Sequence, residues 1–198
     1  AHAHMEREGL KTLRPSLADA RSVADVLRVV RDAARTTPPG DYIVTMPVGA
    51  PPHYFGGAAQ LAEGRLPTRQ ELDAAAPDHP VYIPAPFGNW GKPPGTAALN
   101  SLALARNGIT PDSRPQCAGI VLKRDAAGQL TGHIVEHNSR PAVEFDLLAD
   151  VPRFGFADRL KGLRVSQRQY HAKGTTSIYE GHGSAPETLS VYRKLWED

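Results

Sequence analysis

Residues 156–198, FADRLKGLRVSQRQYHAKGTTSIYEGHGSAPETLSVYRKLWED, decide the fold. The first part, through Lys173 and Gly174, reads as a helix that a glycine ends. TTSIYEG follows, rich in β-branched residues, and reads as a strand. Ser184 and Glu187 have the three-residue spacing of a capping box, so SAPETLSVYRKLWED reads as a second helix. Helix, strand, loop, helix is the order of a β/α unit in a parallel sheet or barrel.

Upstream, the elements are shorter and of another kind. SVADVLRVVRDAARTTPPG is an amphipathic helix: Ser22 is the N-cap, Val23, Val26, Leu27 and Val30 share a face, and Pro38-Pro39-Gly40 stops it. DYIVTMPV is a short strand. LPTRQELDAAAPDHP holds a capping box, Thr68 with Glu71, on a helix that ends before Pro77. VYIPAPFG begins as a second strand, and TAALNSLALARNG reads as a helix closed by Gly108. AGIVLKRD and LTGHIVE form a β-hairpin with Gly128 in its turn. A linker containing FDLLADVPRFG then leads to the final unit. No internal repeat is present.

Composition narrows the function classes. With 23 Lys and Arg against 21 Asp and Glu, the net charge of +2 gives no basic surface for nucleic acid. No apolar run is long enough to span a bilayer and no secretory leader is visible, so a cytoplasmic protein is expected. The single cysteine, Cys117, excludes an internal disulfide and a Cys-rich zinc module, and reads as a small buried or loop thiol. The 18 prolines are about twice the average usage. They cluster in TTPPGD, VGAPPH, PAPFGNWGKPPG and TPDSRP, which read as structured loops between short elements.

The chain opens with AHAHM. Side chains alternate along a strand, so His2 and His4 point the same way and suit a single divalent ion. The other reading is a cloning-vector leader, which often carries histidines before a methionine.

Five short motifs, taken in order, resemble the amidohydrolase superfamily. More narrowly, they look like its branch similar to N-substituted formamide deformylase. The first is His-x-His at the end of the first strand. The second is Leu72-Asp73 with Pro77, Pro80 and Val81, and the third is Asn100-Ser101 with Ala103 and Leu104. The fourth is Arg124-Asp125 with Gly128, Thr131 and Gly132, and the fifth is Gly174 with Thr176 and Ser177. The resemblance spans nearly the whole chain.

It implies an α/β fold: a fragment of a (β/α)8 TIM barrel with an α+β insertion between the first and second barrel strands. Residues 1–39 would be the first strand and following helix, 40–155 the insertion, and 156–198 the second β/α unit. EREGL would continue from the first strand as a βα loop. The implied activity is hydrolysis of carbon–nitrogen bonds other than peptide bonds, in a small-molecule amide or formamide-like substrate. A divalent metal, zinc by preference, would activate the attacking water. His2 and His4 would be ligands. Glu180, near a point where the family carries an acidic residue, would be a ligand or an anchor beside one, against the alternative of a loop carboxylate. Further ligands and the general base would lie on strands outside this chain, leaving it an incomplete catalytic domain with little activity alone. The exposed strand edges of an incomplete barrel favour a homo-oligomer.

Substrate contacts are assigned to Trp90, Asn89 and His182. Trp90 and Phe87 would line a pocket for an apolar acyl or aryl group, against the alternative of a packing role, and Asn89 stands where many relatives have histidine. His53, His79, His133, Glu136, His137 and His171 read as structural or loop residues. The contrasting reading of the whole is an α+β small-molecule or partner-binding module with a vector-derived AHAHM.

Overall fold

Asn100 ties the middle of the chain together. Its side-chain oxygen accepts the Val81 N–H at 2.9 Å and the Ala103 N–H at 3.0 Å, and its Nδ2 donates to the His79 carbonyl at 2.8 Å. One fully buried carboxamide therefore caps a helix and pins the start of a neighbouring strand. Replacing Asn100 with alanine would leave two buried N–H donors and one carbonyl unpaired. The expected loss is about 3 kcal/mol, read as a lower urea midpoint with an unchanged slope.

The computed structural model describes residues 3–51, 53–86, 94–138, 142–181 and 184–198. Seven α-helices occur among them: α1 (Met5–Leu10), α2 (Val23–Ala34), α3 (Arg69–Ala75), α4 (Ser101–Arg106), α5 (Val143–Asp146), α6 (Phe156–Ala172) and α7 (Pro186–Glu197). The strands are β1 (Ile43–Val44), β2 (Val81–Ile83), β3 (Gly95–Leu99), β4 (Ile120–Arg124) and β5 (Leu130–Glu136). Two compact units emerge. One joins Ala1–Arg14 with Arg153–Asp198, and the other is Pro15–Pro152.

The middle unit is built on a mixed sheet in the order β1-β2-β3-β5-β4. β1 and β2 are parallel, and the remaining pairs are antiparallel. Because strand side chains alternate, the sheet feeds two cores. Ile43, Val81, Ile83 and Ala98 pack with Val26, Val30 and Leu72 from α2 and α3. Val44, Tyr82, Ala97, Leu99 and Ile134 pack on the other face with Leu104 of α4 and Val143 of α5. Val26 and Val30 are wholly buried, and each contributes about 1.5–3 kcal/mol of apolar burial.

Local chemistry explains the elements that form as expected. Ser22 caps α2 through the Asp25 N–H at 3.2 Å. The Thr68 N–H donates to Glu71 at 2.7 Å and the Glu71 N–H donates back to the Thr68 hydroxyl at 3.4 Å. Arg65 grips both oxygens of Glu71 at 2.7 and 2.9 Å, and that contact holds the carboxyl down to about 2. The Leu-Asp and Asn-Ser motifs meet in space. Asp73 accepts the Ser101 N–H at 2.8 Å and the Ser101 hydroxyl at 2.6 Å.

Four local readings are corrected. Thr96–Leu99 belong to β3, and the helix of TAALNSLALARNG begins only at Ser101, because Asn100 caps it and Ala97, Ala98 and Leu99 pair with β2 or β5. EREGL is not a loop but most of α1. The Ser184–Glu187 box does not form: Pro186 occupies the first turn and moves the cap to Ala185, without a side-chain hydrogen bond. TTSIYEG carries no strand of its own, and only Tyr179 makes a β-bridge. By internal contacts the chain divides after Arg14 and after Pro152. α2 lies in the middle unit, where it packs on α3.

In the terminal unit, α6 packs against both α1 and α7. Met5, Leu163 and Val191 are its buried core, with Leu160, Tyr170, Ile178 and Leu195 around them. α1 and α6 touch through glycines: a Cβ built on Gly9 would fall 1.8 Å from the Gly162 carbonyl oxygen. Glu6, buried on α1, is ion-paired to Arg159 of α6. These contacts fix the residues that flank the start of α1.

Candidate metal centre

His4 is the last residue before α1. Immediately before it, the Ala3 N–H donates to the Tyr179 carbonyl at 3.1 Å. That bond sets the start of the chain beside residues 179–180, 176 positions away in sequence from His4. The result is a contact between His4 Nδ1 and Glu180 Oε1. Both side chains are about four-fifths buried, with 24% and 21% of their surface exposed.

Glu180 has a second neighbour on α7. The Tyr192 hydroxyl donates to Glu180 Oε2 at 3.5 Å. Burial pushes the Tyr192 phenol up to about 12, with the Glu180 charge adding to it. Tyr170 of α6 is raised as well, by burial first and then by the charges of Glu8 and Glu180. Glu180 therefore sits between the imidazole of His4 and the phenol of Tyr192. A neutral phenol donates to a carboxylate without competing for a cation.

A histidine whose Nδ1 is held by a carboxylate has its ring orientation fixed, and coordination falls to Nε2. His4 and Glu180 thus fit a divalent cation as a ligand and its partner, or as two ligands. They do not complete a site. Among the described residues, no group of three or more His, Cys, Asp or Glu side chains is placed to hold a metal ion.

Of the residues singled out from sequence, His4 and Glu180 are brought together, while His2, Asn89, Trp90, His182 and Phe87 lie outside the described residues. Three other histidines make contacts elsewhere. His133 Nε2 bonds the Pro67 carbonyl at 2.9 Å, buried His79 lies 3.3 Å from the Asp41 carbonyl, and His53 stacks on Phe55 at 4.9 Å. Cys117 is exposed. Tyr192 was not singled out. Its signal was faint: it follows Val191 and precedes Leu195, so it sits beside the apolar face of α7.

The model of the amidohydrolase family matches residues 1–197. The chain belongs to the amidohydrolase family. Similarity to a curated relative is consistent with this: N-substituted formamide deformylase of Arthrobacter pascens is 27% identical over 175 residues, covering 86% of this chain and 28% of that protein. Two solved structures share the fold. An uncharacterized metal-dependent hydrolase from Pyrococcus horikoshii OT3 matches with a TM-score of 0.59 at 18% identity, over all of this chain and 33% of that one. One from Pyrococcus furiosus matches with a TM-score of 0.56 at 18% identity, over 98% and 33%. This amidohydrolase-family chain thus spans a third or less of the relatives it matches. Among its described residues, no helix is long and apolar enough to cross a membrane.

Proposed function

We propose that this chain contributes part of the catalytic domain of a metal-dependent hydrolase. Its target would be carbon–nitrogen bonds other than peptide bonds, in an amide or formamide-like small molecule. The observation that carries the reading is the meeting of His4 with Glu180 from opposite ends of the sequence. A vector-derived tail has no reason to pack its histidine four-fifths buried against a carboxylate. The α+β module reading, which treats AHAHM as such a tail, is less well supported for that reason.

In this reading, His4 supplies Nε2 as a ligand, and His2 is the second imidazole. Glu180 accepts the Nδ1–H of His4, fixes the tautomer and raises the basicity of the ring. Tyr192 holds the outer oxygen of Glu180. A divalent ion bound there, zinc by preference, would polarise the amide carbonyl and make water nucleophilic near neutral pH. The general base and remaining ligands would come from elsewhere in the complete catalytic domain, as would most of the barrel.

The test is formate release from N-alkyl- and N-arylformamides by the complete gene product. Activity abolished by a chelator and restored by zinc is the expected result. Absence of metal-dependent hydrolysis across formamides and simple amides would refute the proposal.

A further inference from the structure

A second feature lies wholly in the middle unit and does not depend on the metal-site reading. At one end of the sheet, where β3 begins and β5 ends, is a cavity of about 340 Å³. That volume lies within the range of small-molecule sites. Its wall comes from Tyr54, Phe55 and the glycines that follow, and its inner side from Gly95, Thr96, Glu136 and Asn138.

Glu136 sets the chemistry. It is 5% exposed, yet no cationic side chain among the described residues pairs with it. Its Oε1 accepts the Ala142 N–H at 2.5 Å and Asn138 Nδ2 at 3.5 Å, so both bonds fall on one oxygen. A buried carboxyl group without a cation is uncommon, because desolvation is otherwise uncompensated. Directly across the ladder from Glu136 stands Gly95, which offers no side chain to cover it. A Cβ there would come 3.2 Å from the Ala85 Cβ, so the glycine lets Ala85 approach closely beside Glu136 without a side chain between them.

The opposing wall is strained. Tyr54 has φ of 56° although it is 3% exposed, and it is the one non-glycine residue with positive φ among the described residues. The conformation is held by the Tyr54 N–H to the Ala50 carbonyl at 3.0 Å and by the Gly57 N–H to the Tyr54 carbonyl at 3.2 Å. Left-handed aromatic residues persist only where their surroundings enforce them, and they concentrate at binding sites. Next to Tyr54, Phe55 is 67% exposed at the lip of the cavity.

A deep acidic group and an aromatic lip together specify a ligand class. We propose that this cavity binds a small arylalkyl amine, its ammonium group on Glu136 and its ring against Phe55. A neutral alcohol of the same shape would lose the charge-assisted contact, and an anion would face the carboxyl group. The proposal goes beyond the hydrolase reading, since binding here requires neither metal nor turnover.

The experiment is titration calorimetry with 2-phenylethylamine at neutral pH, using 2-phenylethanol as the uncharged control. The amine is expected to bind at least about tenfold more tightly than the alcohol. Glu136→Gln, which retains an acceptor for the Ala142 N–H, should lower amine affinity about tenfold and leave the alcohol unchanged. Phe55→Ala alters a side chain that is mostly in water and should fold normally while weakening both ligands severalfold. The proposal is overturned if the amine shows no preference over the alcohol. It is equally overturned if Glu136→Gln binds the amine as tightly as the parent. Should Glu136→Gln fail to fold, undiminished amine binding by Phe55→Ala overturns it.

Discussion

Gly9→Ala is expected to unfold the unit that carries His4 and Glu180. Judged by helix propensity alone, the substitution should help α1 by about 1 kcal/mol. Packing decides the other way. The added methyl would lie 1.8 Å from the Gly162 oxygen and 2.2 Å from its carbonyl carbon, both backbone atoms of α6 that no rotamer change can move. The helices would have to separate, breaking the contact that buries Met5 against Leu163 and opening the Glu6–Arg159 pair. Overpacking commonly costs about 1–3 kcal/mol, and a backbone clash this deep belongs above that range. Gly162→Ala should be milder, because its Cβ would meet the Leu10 nitrogen at 2.9 Å and the Gly9 carbon at 3.0 Å. Gly40→Ala makes a useful control: φ is +85° with nothing within 4 Å, so it should lose only about 1 kcal/mol for the left-handed conformation. Thermal melts followed by circular dichroism rank the three. The expected order of damage is Gly9, then Gly162, then Gly40. A Gly9→Ala protein as stable as its parent would show that the close helix crossing is wrong.

The two units were not equally legible. Features that depend on neighbours in sequence came through in the middle unit: the apolar face of α2, the Thr68–Glu71 box and the Gly128 turn, where φ is +78°. What failed there was a run whose identity depends on partners far away. Thr96–Leu99 is alanine-rich and carries helical propensity, but its backbone is claimed by β2 and β5 on either side. The same cause hid the meaning of the family motifs. Asp73 and Ser101 look like separate signatures, yet they are two halves of one hydrogen-bonded joint. In the terminal unit, the long α6 was plain and the glycine crossing was not. Gly9, read as part of a βα loop, gave no sign of a helix crossing until α6 is seen against it. Within the candidate centre, His4 and Glu180 were chosen for residue type and family position. Tyr192 escaped because a tyrosine beside an apolar helical face is ordinarily core, and only the fold shows its hydroxyl turned toward a carboxylate.

If His4 is a metal ligand as proposed, His4→Ala is expected to lower zinc affinity more than a hundredfold, because it would remove a coordinating nitrogen and the element that Glu180 orients. The informative comparison is with Glu180. If Glu180 serves as the carboxylate behind His4, then Glu180→Gln keeps an acceptor for the Nδ1–H, and affinity should fall about tenfold. Glu180→Ala removes that acceptor and should approach a hundredfold loss. If Glu180 instead binds the ion directly, the amide is nearly as poor a ligand as no side chain, so the two variants should converge near the larger loss. Metal content by elemental analysis, after loosely held ions are removed, gives the first readout. Competition with a chromogenic chelator gives the affinities. Equal zinc retention by the parent and His4→Ala would remove His4 from the site, leaving its contact with Glu180 as a packing interaction of the terminal unit. A graded series, with His4→Ala worst, Glu180→Ala next and Glu180→Gln mildest, would assign the carboxylate as the group that orients the histidine. Tyr192→Phe would then rank below all three, since its hydroxyl reaches the far oxygen only at 3.5 Å and acts through Glu180.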